Sequence, residues 1–526
     1  MSEQHLNTRQ VMIALSVAIA CFLPPFIGSA TGLIASDIFV ALGFASAFGS
    51  GLFPWVFTVY TLTSTVFLIP AVRLADKLNR KWFFLAGVLI LGLASLWVGL
   101  AQDMTMILVA RGVQGLGNAL MFGTAISLVA AAVRPEKRGT AIGIAMTGVF
   151  LGQLAAPLAA GALTNLLSWN AVYFVLLPIA LISFVIALIF IPKDKPTDTG
   201  KFDWLGSIIF VVGMAFAVYG FSKLPDMMAI GSMVIGIILM ILFFFYEKKN
   251  SNPLVPVRLI LHNREFSFNN GANLLYYVAI YSMDSLISTY MAELWGIDDP
   301  LLRALIITTE GLILFCFTYI AGKFYDHMLP KFILILGAVL AAVGIAGSVI
   351  MGAQQVDAGW LTAAIIFASV AAFGIGSIIL GIVDRIVKNA PPRVSTSLGL
   401  FIIIIGMFVF LTSGEAMNLW LLIITEALFG IGIAIFVTPN STAVMNSVTE
   451  KEYNMASGTL STVRMLGMAL SFGIVAILET AFITGNEALY AGEFLTMLHG
   501  TIIASIGVLV IAILLSWFGG KAKHTE

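Results

Sequence analysis

The sequence predicts an all-α polytopic membrane protein, two pseudo-symmetric helical bundles plus extra helices, with 14–16 transmembrane spans. Three observations carry that prediction. Of 526 residues, 60% are hydrophobic and only 10% charged, and the mean hydropathy of +1.02 lies far from that of a soluble domain. Apolar runs long enough to cross a hydrocarbon core of about 30 Å recur along the whole chain. Lys and Arg gather in alternate loops, as the positive-inside rule requires of a multi-pass protein.

Taken in order, the runs fall at 11–36, 52–71, 82–101, 105–132, 139–163 and 170–192, then 203–222 and 228–247. Eight more follow at 267–291, 303–322, 331–352, 360–383, 396–414, 418–444, 455–482 and 497–518. The first run is too long for a signal-peptide core and reads as a retained span. With the N-terminus cytoplasmic, all but four of the 27 Lys and Arg residues lie in inner loops or tails. Lys223 and Arg303 fall outside, while Arg111 and Arg464 are inside spans. The expected organisation is a cytoplasmic tail at 1–10, a six-helix bundle at 11–192, and two extra spans with a linker at 193–265. A C-terminal helical bundle at 266–518 and a second cytoplasmic tail at 519–526 complete it. The chain is expected in the cell inner membrane, as a monomer in the lipid bilayer with both termini cytoplasmic.

Several function classes are disfavoured. The formal net charge is zero, so no electrostatic case for nucleic acid exists. Cys21 and Cys316 stand alone in separate apolar runs, and no Cys/His spacing suggests a metal. His262, His327, His499 and His524 form no ligand set. No cofactor and no metal are expected, and a membrane enzyme or non-transporting receptor is the least favoured class. No loop has the length of a soluble domain, and no Gly-rich phosphate loop ends in Lys-Ser/Thr. Energy for any transport must therefore come from an ion gradient or from the solute itself.

The run 105–132 carries Arg111 about 9 Å inside an apolar segment. A permanent charge there costs at least a few kcal/mol and should face protein or a watery cavity. Gln114 and Asn118 lie on the same helix face. On the next run Gly148, Gly152, Ala156 and Ala160 recur every fourth residue, beside Pro157 and Gly161, making a smooth face for close helix contact. Repetition is also visible. The loop at 72–81 has Asp76 and Lys81 where the loop at 322–331 has Asp326 and Lys331. Parallel halves of this kind suit a transporter with its solute site between them. A second echo, Ala371 to Gly376 and Ala427 to Gly432, reads equally as a duplicated helix pair or as two Gly-rich packing helices.

These motifs resemble those of the major facilitator superfamily, and within it the fourteen-span proton-coupled drug exporters. The loop at 72–81 is similar to the signature between spans two and three. Asp76, Arg80 and Lys81 match, while Val72 and Asn79 replace its two glycines. The segment around Arg111, Gln114, Gly115 and Gly117 resembles the span-four motif. The segment 148–161 resembles the span-five antiporter motif, with Ala156 and Ala160 where glycine is usual. The resemblance implies the superfamily fold, and implies that Asp76 and Arg80 lock and release the inner ends of the halves. Two features depart from the pattern. Span one, reading Phe22 to Thr31, has no acid where these exporters carry an aspartate, and the span count exceeds fourteen by two.

Other acids could replace the missing one. Along 267–291, Asn270, Asn273, Tyr277, Tyr281, Asp284 and Ser288 recur every third or fourth residue as one polar stripe. The stripe reads as a helix-packing seam or as a path leading to a carboxylate, and tyrosine faces over an acid would suit an organic cation. Glu310 is expected near the outer end of its span, titrating or merely solvated. Glu426 and Arg464 are expected either to pair structurally or to relay protons. Trp55 and Tyr60 read as interfacial anchors. The function expected is secondary active export of small amphipathic or drug-like solutes in exchange for protons, by alternating access. A uniporter or symporter for one metabolite is the alternative. Arg111, Asp284, Glu310, Glu426 and Arg464 are the coupling candidates. Gln114, Asn118, Asn273, Tyr277 and Tyr281 are the solute-binding candidates. Asp76, Arg80, Lys81, Gly148, Gly152, Pro157 and Gly161 are the gating candidates.

Overall fold

The computed structural model describes residues 7–133, 138–192, 202–250, 253–255, 257–324, 392–415, 418–449, 453–484 and 490–519, and these are helical throughout with short connections. Twelve of the helices have the length and hydropathy of membrane spans. Fourteen of the sixteen expected runs fall on described helices, whereas 331–352 and 360–383 lie outside the described residues.

The first bundle contains α1 (Thr8–Leu33), a short α2 (Ala35–Ala41), α3 (Phe53–Lys77), α4 (Arg80–Gly99), α5 (Met104–Ala132), α6 (Arg138–Leu166), α7 (Trp169–Phe174) and α8 (Leu176–Phe190). A hairpin follows, α9 (Trp204–Ser222) and α10 (Met227–Lys249), then the short α11 (Val257–His262). The second bundle contains α12 (Arg264–Ile280), α13 (Met283–Glu293), α14 (Pro300–Phe324), α15 (Pro392–Phe410), α16 (Leu419–Asn446), α17 (Tyr453–Phe482) and α18 (Tyr490–Phe518). Many spans begin on an Asn or Asp whose side chain accepts a first-turn amide. Asn7, Asn79, Asp103, Asp203, Asp226, Asn263 and Asn418 all do so. These residues satisfy donors that an apolar helix cannot.

The two bundles use the same pairings. In the first, α1 packs on α6 and α8, α5 on α3 and α4, and α4 on α8; in the second, α12 packs on α17 and α18, α16 on α14 and α15, and α15 on α18. Across the bundles, α3 meets α17 and α6 meets α14, a symmetric pair of contacts. The small face of α6 works as its spacing predicts. A Cβ at Gly148 would lie 1.9 Å from the Ala18 carbonyl oxygen and one at Gly152 would lie 2.3 Å from that of Phe22, so α1 rests directly on these glycines. At the other end of α6, a Cβ at Gly161 would meet Ala304 and the Pro300 carbonyl, both at 2.8 Å, where α14 crosses.

The hairpin α9–α10 is joined by the same device, with Gly220 against the Met233 backbone and Gly236 against that of Ala217. It packs on both bundles. Tyr219 lies 5.6 Å from Trp55 of α3, and Phe221 fills the space above Gly473 of α17. Trp55 is thereby buried rather than anchored at an interface.

The run 267–291 is not one helix, as the sequence suggested, but breaks at Tyr281 and Ser282 between α12 and α13. The Ser471 hydroxyl of α17 accepts the Ser282 amide at 3.1 Å and donates to the Ser282 hydroxyl at 3.0 Å. Irregular backbone at membrane depth survives only with such partners. Periodicity could not reveal this, because the partner lies 189 residues away.

At the end of the molecule remote from the chain termini, the bundles are fastened together. Arg303 of α14 donates two hydrogen bonds from one nitrogen to Asp37, at 2.7 and 2.8 Å. Glu479 of α17 accepts the Gly49 and Gly51 amides of the α2–α3 loop at 2.9 and 3.0 Å. Both glycines hold positive φ, 95° and 66°, which presents the two amides to one carboxylate oxygen. Glu293 accepts the Ala47 amide at 2.8 Å, and Ser288 donates to the Leu33 carbonyl at 2.6 Å. Arg303, expected on the outer side at the start of its run, is only 1% exposed.

Candidate functional site

The first bundle holds Arg111 deep in its core. Its Nε donates to the Val56 carbonyl at 2.9 Å and its Nη1 to Gln114 at 3.0 Å, and the Tyr60 ring lies under the guanidinium at 4.7 Å. Gln114 passes the chain on to Ser95 of α4 at 2.9 Å. Asn118 donates to Ser64 of α3 at 3.1 Å. Gln114 and Asn118, both candidates for solute contact, are thus fully buried and tie α5 to its own neighbours. Tyr60 is buried beside Arg111 and is not at an interface. The Arg111 Nη2 and the Tyr60 hydroxyl have no hydrogen-bond partner.

The gating candidates Asp76, Arg80 and Lys81 lie at the end that carries the termini. Asp76 and Arg80 form an ion pair at 2.6 Å. Lys81 donates to the carbonyls of Leu188 and Ile191 at 2.8 and 2.6 Å, closing the end of α8 where carbonyls lack partners. Pro157 is buried in α6 among the small residues that meet α1 and α14.

The second bundle brings together three acids that the sequence leaves far apart. Asp284 opens α13, Glu310 sits midway along α14, and Glu426 lies two turns into α16. One oxygen from each falls within 4.8 Å of the others. The Asp284 and Glu310 carboxyl groups are in hydrogen-bonding contact, and Glu426 faces both. Glu310 and Glu426 are 4% and 0% exposed, whereas Asp284 is half-buried. Glu310 is therefore not solvated near a helix end. Ten residues into α14 it lies about 15 Å along the axis, near mid-depth.

A glycine makes this meeting possible. A Cβ at Gly430, one turn after Glu426, would come within 2.8 Å of the Glu310 carbonyl, so α16 approaches α14 at van der Waals contact. Gly432 does the same against Gly399 and Ile403 of α15. The Gly-rich segment 427–432 is thus a packing device; its echo at 371–376 lies outside the described residues. Glu426 and Arg464 do not pair, since neither Glu426 oxygen has a hydrogen-bond partner.

Tyr276, Tyr277 and Tyr281 lie beside the acids. Tyr276 is buried against them and stacks edge-on with Tyr277 at 4.7 Å. Tyr277 and Tyr281 are half-buried. Asn273 is 3% exposed and belongs to the helix interior. Tyr281 also faces the first bundle, where a Cβ at Gly28 would lie 2.9 Å from its hydroxyl. Arg464 of α17 reaches across the bundles and lies over the Phe122 ring of α5 at 4.9 Å, with the Tyr277 hydroxyl against it. Sequence reasoning placed all three acids among its candidates but missed the interbundle pair Asp37–Arg303, for which no local signal exists.

Two helical bundles that share one packing pattern among the described residues, and that meet over buried charges, define a secondary transporter of the alternating-access class. The Major Facilitator Superfamily profile matches residues 10–398, and the chain belongs to that family. It is 24% identical over 449 residues to the Multidrug resistance protein Stp of Mycobacterium tuberculosis, covering 84% of this chain and 71% of that protein. It is 24% identical over 327 residues to the Multidrug transporter protein MdtP of Bacillus subtilis, covering 59% of each. It is also 28% identical over 247 residues to the Lincomycin resistance protein of Streptomyces lincolnensis, covering 45% of this chain and 50% of that one. Among known structures, the fold is similar to that of the POT family transporter PepTSo, with a TM-score of 0.61 at 11% identity over 97% of this chain and 98% of that one. It is also similar to a bacterial homologue of the lysosomal transporter Spinster, with a TM-score of 0.57 at 14% identity over 98% of each.

Proposed function

We propose that this chain exports amphipathic, drug-like solutes across the cell inner membrane in exchange for protons, and that Asp284, Glu310 and Glu426 carry the protons. The observation that carries the reading is the meeting of three carboxyl groups within 4.8 Å, beside the contact between the bundles. Three ionised carboxylates at that separation repel by about 3–4 kcal/mol per pair at an effective dielectric of 20. A site that holds them needs protons to offset the charge. A solute approaching through Tyr277 and Tyr281 competes with those protons, and that competition is the coupling. The relatives named for multidrug and lincomycin resistance support export as the direction.

In this reading the end bearing the termini is cytoplasmic, consistent with the basic loops there. The contacts Asp37–Arg303, Glu479 with Gly49 and Gly51, and Glu293 with Ala47 then close the outer side. The motif Asp76–Arg80–Lys81 acts at the inner side. Gly148, Gly152, Pro157 and Gly161 let α6 slide on α1 and α14. Arg111 braces the first bundle, and the protein works as a monomer.

Efflux from proteoliposomes with and without an imposed pH gradient tests the reading. Wild type should show gradient-stimulated efflux, and Glu310→Gln should retain only downhill movement. Equal stimulation in the two proteins would remove the trio from the coupling step.

A further inference from the structure

A second charged locus lies beside the carboxyl trio, and the mechanism above does not use it. Arg111 and Arg464 approach the interface from opposite bundles. Both act electrostatically on Tyr60 and on Tyr281. Neither forms an ion pair or hydrogen bond with a carboxylate among the described residues. The Arg111 Nη2 and the Arg464 Nε are buried donors without an acceptor, and the Tyr60 hydroxyl between them is also unpartnered. Arg464 is the half-exposed member, flanked by the Phe122 ring and the Tyr277 hydroxyl, and Arg111 sits behind Tyr60.

A buried and a half-exposed cation without counter-ions among the described residues are costly unless an anion completes them. The acids Asp284, Glu310 and Glu426 of the second bundle are grouped with one another instead. Tyr281 stands between the two loci and feels both guanidinium groups and Asp284. Opposite charges are thus held in separate loci, with the rings of Tyr60, Phe122, Tyr277 and Tyr281 beside them. The solute that satisfies both carries its own separated charges.

We infer that the preferred solutes are amphoteric aromatics, with a carboxylate or similar acid held by Arg464 in the field of Arg111 and a basic group directed to Asp284. This rests on the proposed solute path between the bundles. It goes further in assigning an anion subsite to Arg464, whose fork suits a carboxylate. A guanidinium that only packs on Phe122 would show no such preference.

Rhodamine B and its ethyl ester provide the test, because they share one fluorophore and cation and differ in one free carboxylate. Binding is read by fluorescence anisotropy on purified wild-type protein at fixed pH, with no gradient. The free acid should bind about tenfold more tightly than the ester, the value of one charge-assisted contact. Arg464→Gln should erase that difference, and Arg464→Lys should keep part of it. Thermal unfolding of both variants separates lost binding from lost fold. An ester that binds wild type as tightly as the acid overturns the inference, whatever the variants do. So does an undiminished preference in a folded Arg464→Gln protein. Failure of proton coupling would appear instead in gradient-driven flux, which this equilibrium measurement does not involve.

Discussion

Glu426 shows how a single side chain can matter without a single strong contact. It is fully buried in α16, neither oxygen meets a donor, and its near neighbours are two more acids. Such a group persists in a fold when its function needs it. Glu426→Gln should therefore leave the protein at least as stable to heat, because repulsion within the trio is reduced, while gradient-driven efflux falls to the downhill rate. A clear drop in thermal stability with intact coupling would make Glu426 a structural residue. Arg111 differs, because its nitrogens bridge Val56 and Gln114. Lysine cannot hold both. Arg111→Lys should lower stability by about 1–3 kcal/mol, the cost of a hydrogen bond lost from a charged group, measured by unfolding in detergent. The sequence identified Arg111, Asp284, Glu310 and Glu426 because charge in an apolar run is rare. It could not say which of them meet. Arg111, one of the coupling candidates, has a carbonyl and a side-chain amide as its hydrogen-bond partners.

At the scale of helices, glycine decides which charges meet. Gly430 brings α16 onto α14 at Glu310, and Gly148 and Gly152 seat α6 on α1. Gly430→Ala should push the trio apart and reduce gradient-driven efflux more than downhill efflux, with a stability loss of about 1–3 kcal/mol from overpacking. Gly231→Ala, where nothing lies within 4 Å of the added Cβ, is the matched control and should behave as wild type. Equal flux ratios in the two variants would show that helix spacing does not govern coupling. The sequence made the small face of α6 legible because its period matches the helix. The break between α12 and α13 was not legible. No Gly or Pro marks it, and Ser471 stabilises it from another helix.

At the scale of the molecule, polar side-chain and loop contacts at one end join the two bundles beside an apolar seam in which Phe57 stacks on Phe472 at 4.0 Å and Phe48 meets Phe494 at 5.3 Å. Asp37–Arg303 and the clasp of Gly49 and Gly51 on Glu479 join chain segments 266 and more than 400 residues apart. No sequence period announces such contacts, although the duplicated architecture itself was visible in the repeated loop at 72–81. Removing them should favour the state open at that end. A double variant, Asp37→Asn with Glu479→Gln, should raise the labelling of Ser288→Cys by a membrane-impermeant thiol reagent applied outside, by roughly fivefold or more. Unchanged labelling would mean that the bundles are held elsewhere.

The trio's exchange of protons for solute is tested most directly by counting protons. Purified protein in weakly buffered detergent solution is mixed with rhodamine B, and the pH change is recorded as the dye binds. Wild type should release protons in proportion to bound dye, and Glu310→Gln combined with Glu426→Gln should bind dye with little or no release. Dye binding to wild type without proton release, or equal release from the double variant, would contradict proton exchange at Asp284, Glu310 and Glu426.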